Sequence, residues 1–252
     1  MKPAPTAPAL FAAAADELIE IGRRCYARGW VYGTSGNFSA VVSAQPLRLA
    51  ITASRAHKGK LAPDDILEID DWGRVTGGQT GSPSAETLLH IEIVKHCGAG
   101  AVLHTHSVWS TILSDLHEGE RGLAIEGYEM TKGLEGVTTH EHREWVPIVA
   151  NDQNMARLAS EVRKALGRAQ GAHAFLLCRH GLYTWGRTLA DAERQVEILE
   201  FLFETLGRRQ TADTLPRAHG TRSPDVRVRE TGARPSRPVR KEKSHGARKD
   251  SR

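Results

Sequence analysis

Apolar residues along this chain recur with two different periods. In residues 9–28, Phe11, Ala14, Leu18, Ile21 and Cys25 fall on one stripe, three to four positions apart, and Gly29 offers a C-terminal stop. That spacing predicts a first helix packed through one face. Residues 38–42, 47–52, 66–69 and 74–76 are instead short, β-leaning runs broken by Gly, Pro and Asp, and they predict antiparallel strands. Ser82 and Pro83 read as the N-cap and first-turn proline of a second helix reaching about Cys97, buried through Leu88, Leu89, Ile93 and Val94, with Glu86 in its first turn. Residues 101–103 and 174–178 are apolar runs of strand length, each leading into histidines, and 145–149 adds another strand. Two further helices are predicted. One covers about 152–166, through Met155, Leu158, Ala159, Val162 and Leu166; the other covers 188–206, capped by Thr188, stopped at Gly207 and amphipathic through Leu189, Ala192, Val196, Leu199, Phe203 and Leu206. No repeat of solenoid length is present.

A length of 252 residues suits one large domain with a tail, or two small ones, and the single domain is expected. The formal charge of +4 changes this picture once it is located. Residues 208–252 hold 14 Lys or Arg against 5 Asp or Glu, which leaves 20 basic and 25 acidic groups in residues 1–207. The body is therefore acidic, and the positive total does not imply a nucleic-acid or membrane partner; contact with nucleic acid is expected at most as nonspecific binding by the tail. That stretch is rich in Arg, Pro, Ser and Gly, is almost free of large apolar residues after Leu215, and is expected to be disordered because it cannot offset its ordering entropy by burial. Pro3, Pro5 and Pro8 give residues 1–8 the character of a flexible N-terminus, and no run has signal-peptide or membrane-spanning length. The cysteines Cys25, Cys97 and Cys178 are odd in number and scattered, so neither a disulfide framework nor a zinc knuckle is indicated, and a reducing cytoplasm fits.

Candidate chemistry gathers at strand ends. His104 and His106 are two residues apart after an apolar run, so in a strand both imidazoles point to the same side. By itself a His-x-His pair fits two ordinary histidines equally well. His180, after a second apolar run, offers a third ligand, and three imidazoles leave open positions of the kind a catalytic metal needs. His140 and His142 share the spacing but sit in a charged stretch that reads as a surface loop. His57, His90, His96, His117 and His173 read as exposed or hydrogen-bonded residues rather than ligands. The turn Gly33-Thr34-Ser35-Gly36-Asn37 can present backbone N–H groups and hydroxyls to an anion, and Thr52, Ser54, Ser82 and Ser84 add donors. Singly, each is an ordinary turn or cap; together they suggest a phosphate subsite. Of two notable acids, Glu86 can simply complement a helix dipole, whereas Glu129 has no comparable local role.

Taken in order, Gly33 to Asn37, Thr52 to Ser54, Pro83-Ser-Ala-Glu86, His104-Thr-His106 and the run from Arg179 through His180 to Gly186 resemble the class II aldolases, such as fuculose-phosphate aldolase, over roughly residues 9–207. The resemblance implies an α/β fold of three layers, a central, mainly antiparallel sheet flanked by helices, with residues 9–207 as the catalytic domain between the N-terminus 1–8 and the tail 208–252. Within that superfamily, Glu129-Met-Thr-Lys-Gly133 and His180-Gly-Leu-Tyr-Thr-Trp-Gly186 are most similar to the methylthioribulose-1-phosphate dehydratases of methionine salvage. This likeness implies a cytoplasmic lyase that converts 5-methylthioribulose 1-phosphate, a small sugar phosphate, to 2,3-diketo-5-methylthiopentyl 1-phosphate and water. It implies one zinc ion per subunit on His104, His106 and His180, Glu129 as acid/base, a phosphate site of Thr34, Gly36, Asn37, Ser54 and Ser84, and a homotetramer with active sites near subunit boundaries. Glu86 stands where the aldolases keep their catalytic carboxylate, so the likeness leaves two candidates for proton transfer. Arg55 stands where these enzymes usually have glycine. The alternatives are a ketose-phosphate aldolase or epimerase on the same scaffold and a non-catalytic module like the adducin head.

Overall fold

A computed structural model describes residues 6–214. Eight strands form one sheet: β1 (Asn37–Ala44), β2 (Leu47–Thr52), β3 (Ile66–Asp70), β4 (Ala101–Thr105), β5 (Gly122–Glu126), β6 (Arg143–Val149), β7 (Ala174–Leu177) and β8 (Gly181–Gly186). Their order is β3-β2-β1-β4-β8-β7-β6-β5, and every pairing is antiparallel except β6 with β7. The helices are α1 (Ala7–Ala27), α2 (Thr87–Cys97), α3 (Val108–Leu116), α4 (Met155–Arg168) and α5 (Leu189–Thr214).

Alternation along the strands sorts side chains between the two faces. Phe175, Leu177, Tyr183 and Trp185 join Leu89, Ile93, Leu158 and Val162 in the core under α2 and α4. Ala174, Leu176 and Leu182 face the other way, with Leu113 of α3 and Leu199 and Phe203 of α5, while Leu18 and Ile21 of α1 close the same side further along the sheet. The layers are thus helices, sheet, helices, as the α/β expectation has it.

The departures have local causes. α1 begins at Ala7, because Pro8 in its first turn needs no N–H bond, so the expected flexible start is already helical there. The run at 74–76 is no strand: Gly73 turns at φ 77°, and only Val75 bridges to Ile69. α2 starts after Glu86, which is its N-cap rather than a first-turn residue; Ser82 and Pro83 precede it, and Leu88 is exposed while His90 and Ile91 are buried. α4 takes Asn154 as its cap, the side chain accepting from the Arg157 N–H at 3.0 Å. α5 begins as expected, Thr188 Oγ1 accepting from Asp191 N at 3.1 Å, but it passes through Gly207 to Thr214. A Cβ at Gly207 would lie 2.2 Å from the Trp109 ring, so this glycine serves close packing against α3 rather than termination. α3 and β5 were not expected at all. Of the predicted flexible segments, residues 1–5 and 215–252 lie outside the described residues.

Candidate metal and anion site

Register assembles the centre of the site. Asn37 of β1 and Tyr183 of β8 both pair with His104 of β4, so three polar side chains lie abreast across the middle of the sheet. His104 is fully buried, and its Nδ1 donates to the Leu182 carbonyl at 2.9 Å, which leaves the Nε2 lone pair facing inward. The Tyr183 ring stacks on it at a centroid distance of 3.8 Å. His106 Nε2 lies 2.8 Å from His104 Nε2, as two same-side positions of a strand end require, and His180 Nε2 lies 3.1 Å from His106 Nε2. His180 is delivered by a tight turn in which Arg179 has φ 52°, and the His180 Nδ1 is buried without a partner among the described residues.

Three ring nitrogens therefore converge within 4.8 Å of one another. Burial pushes the His104 pKa well below its ordinary value despite the nearby Glu86 charge, and burial together with the His180 charge pulls His106 down to about 4. Neutral imidazoles with lone pairs aimed at a common point are the form that binds a divalent metal. The donor set fits such an ion and leaves part of its coordination free.

Glu86 is the carboxylate at this centre. Its Oε1 lies 3.1 Å from His180 Nε2 and its Oε2 lies 3.5 Å from His104 Nε2. Asn37 Nδ2 donates to Glu86 Oε2 at 2.6 Å and to Ser84 Oγ at 3.0 Å. Behind Asn37, buried His90 bonds its Oδ1 through Nε2 and accepts from Ser39 Oγ through Nδ1 at 2.7 Å, a chain that fixes the amide and through it the carboxylate. Burial alone would raise the Glu86 pKa, but the neighbouring imidazoles and the Asn37 amide outweigh it and hold the carboxyl below the usual range.

All five residues expected to bind phosphate, Thr34, Gly36, Asn37, Ser54 and Ser84, line one cavity of about 270 Å³ together with Glu86, His106 and His180. Gly36 turns at φ 72°, and a Cβ there would meet the His104 carbonyl oxygen at 2.6 Å, so only glycine lets this turn lie on the end of β4. Arg55 also lines the cavity, at φ 62°. This left-handed conformation is one that glycine adopts without a Cβ penalty. Ser35, Lys58, Asn151 and Gln153 add to the polar lining, and the last three carried no signal in the sequence.

Glu129 stands apart. It opens a 3-10 turn, Glu129–Gly133, with its side chain 71% exposed and paired with Lys132, and it does not line this cavity. The bond to Lys132 lowers its pKa. His140 is exposed 3.9 Å from Glu129, as its surface-loop assignment requires. His142 and His173 both bond the buried Glu144 carboxylate, at 2.8 and 2.9 Å.

The family described as class II aldolase and adducin N-terminal domain matches residues 16–206. A methylthioribulose-1-phosphate dehydratase of Methylococcus capsulatus is 49% identical over 195 residues, covering 77% of this chain and 93% of that protein. One from Pseudomonas aeruginosa is 48% identical, covering 75% and 91%. In architecture the chain is similar to L-fuculose-1-phosphate aldolase from Thermus thermophilus, with a TM-score of 0.64 at 24% identity over 82% of this chain and all of that one. No helix among the described residues is long and apolar enough to cross a membrane.

Proposed function

This chain belongs to the class II aldolase and adducin N-terminal domain family, among the methylthioribulose-1-phosphate dehydratases, and we propose that it converts 5-methylthioribulose 1-phosphate to 2,3-diketo-5-methylthiopentyl 1-phosphate and water. The carrying observation is the meeting of three imidazoles and a polar, turn-built cavity in a chain nearly half identical to enzymes of that name. In this reading the catalytic domain runs from the start of α1 at Ala7 to the end of α5 at Thr214, so the expected boundary at 207 moves outward; residues 215–252 contribute nothing to turnover, and the reaction belongs to methionine salvage in the cytoplasm.

His104, His106 and His180 would hold one zinc ion per chain. Bound there, the metal supplies Lewis acidity to the substrate's ketone oxygen. Thr34, Gly36, Asn37, Ser54 and Ser84 hold the phosphate and so fix the distance from that end of the substrate to the ketone. Dehydration then needs a base for the weakly acidic proton beside the ketone and an acid for the departing hydroxyl. Glu129 is assigned this exchange on its Glu-Met-Thr-Lys-Gly setting, and Glu86 the task of orienting the imidazoles and the proton-bearing groups around them. Because Glu129 does not line the cavity of its own chain, it reaches the substrate only if a neighbouring chain or a closing movement brings it there; a homotetramer with sites near subunit boundaries, which the family likeness implies, meets that need.

One observation favours a second reading. Glu86, where the aldolases keep their catalytic carboxylate, lies 3.1 Å from His180, an arrangement that also serves aldol cleavage or epimerisation of a ketose phosphate. Synthetic methylthioribulose 1-phosphate offered beside fuculose and ribulose phosphates separates the two. Diketone formation from the first alone supports dehydration, cleavage or epimerisation of the others supports the alternative, and turnover of none supports a non-catalytic adducin-like module.

A further inference from the structure

Lys58 is the most deeply buried cation near the site, only 1% exposed, in a short turn beneath α1. Its ammonium donates to the Ala56 carbonyl at 2.7 Å and to the Thr34 carbonyl at 3.1 Å. Both acceptors are neutral, so a three-donor cation is left with one N–H and its whole charge unmatched. Glu86 and Asp65 act on it only through space, and no ion pair joins it to a carboxylate among the described residues. An ammonium out of water without a counter-ion is unfavourable unless something of opposite charge completes the arrangement. Its side chain lines the same cavity as Thr34, Ser54, Ser84 and His106.

We propose that Lys58 is the cation of the anion subsite, meeting the substrate's phosphate dianion while its other donors pin the turn that surrounds the same group. This rests on reading the cavity as a sugar-phosphate site. A buried ammonium supplies a charge-assisted bond that hydroxyls and backbone N–H groups cannot match. The groups facing Lys58 are Glu86 at the start of α2, Asp65 before β3, His106 after β4 and His180 before β8, with Arg55 in its own loop; Tyr26 of α1 covers the adjacent His57 at 4.6 Å. Burial pulls the Lys58 pKa down to about 8 against the opposing pull of Glu86 and Asp65. A bound dianion favours the charged form, so above pH 8 binding must take up a proton and weakens as pH rises.

Sulfate, a dianion throughout this range, is a suitable probe, titrated calorimetrically into the full chain at pH 7 and pH 9. Wild type is expected to lose about tenfold in affinity between them, one unit of proton competition above a pKa near 8. Lys58→Met is expected to bind about 10- to 100-fold more weakly at pH 7, the loss typical of a charged hydrogen bond, with the pH dependence gone. Lys58→Arg should bind equally at both pH values, an outcome that a role in pinning the turn alone does not produce. Sulfate binding by a folded Lys58→Met equal to wild type, or an undiminished pH dependence in either variant, overturns the assignment. If Lys58→Met does not fold, the arginine variant decides by the same criterion. Absence of both sulfate and phosphate binding in wild type would instead remove the anion-site reading itself, and the lysine's role with it.

Discussion

His104 and Glu129 are held in opposite ways, although sequence reasoning places both in one reaction. His104 is fully buried in a central strand, its Nδ1 committed to Leu182, one ring face covered by Tyr183, and its Nε2 directed at His106. Glu129 is exposed on a short turn and, among the described residues, is engaged by Lys132 and, more distantly, His140. A strand end fixes direction through register and pairing, so the histidines are in place before any ligand arrives. A surface turn fixes little, and a solvent-facing carboxylate beside a lysine has no proton to exchange with a substrate until it is brought to one. The fold therefore gathers the proposed binding groups within one chain, while the proposed proton transfer depends on approach by a second element.

The largest effect should come from the fixed half. Replacing His104, His106 or His180 by Ala is expected to remove bound metal and turnover together, whereas His140→Ala and His142→Ala should spare both; metal analysis beside a dehydration assay checks this. Next is Glu129→Gln, which should lower kcat by about 10²- to 10⁴-fold with KM little changed, since an amide keeps shape but cannot exchange the proton. Glu86→Gln is expected to cost less and to show chiefly as weaker metal retention. The reverse ranking in steady-state kinetics would move the aldolase-type reading ahead. The smallest effect concerns Arg55, whose φ of 62° strains any residue with a Cβ. Arg55→Gly should raise stability in urea denaturation by up to about 1 kcal/mol, the left-handed penalty less glycine's greater unfolded freedom.

The same contrast explains what the sequence could convey. Strand alternation put His104 and His106 on one side, and the helical period identified α5, because both depend on repeats that burial imposes. α3 escaped because it buries only Ser110, Leu113 and Ser114 while exposing Val108, Ile112 and Leu116, so its apolar residues do not mark the core face. Gly207 was misread because a glycine required by the Trp109 ring looks the same in sequence as one that ends a helix. Lys58 was passed over for a related reason, while His90, expected to be exposed or hydrogen-bonded, is buried and bonded to Asn37 and Ser39. Polar residues predict exposure, and only the three-dimensional surroundings reveal an ammonium held by two carbonyls or an imidazole steadying Asn37. The residues proposed to bind phosphate stood out as a set because turns announce themselves through Gly, Ser and Thr, yet no spacing rule could say that three separate turns line one cavity.

The central claim, that the imidazole cluster is a metal site on which dehydration depends, is tested most directly by metal removal and return. The chain would be stripped with chelator and reloaded with zinc in steps, with bound metal and diketone formation from methylthioribulose 1-phosphate measured on the same samples. The account predicts negligible turnover in the stripped protein and a linear recovery that saturates at one ion per chain. Full turnover by metal-free, folded protein would contradict it.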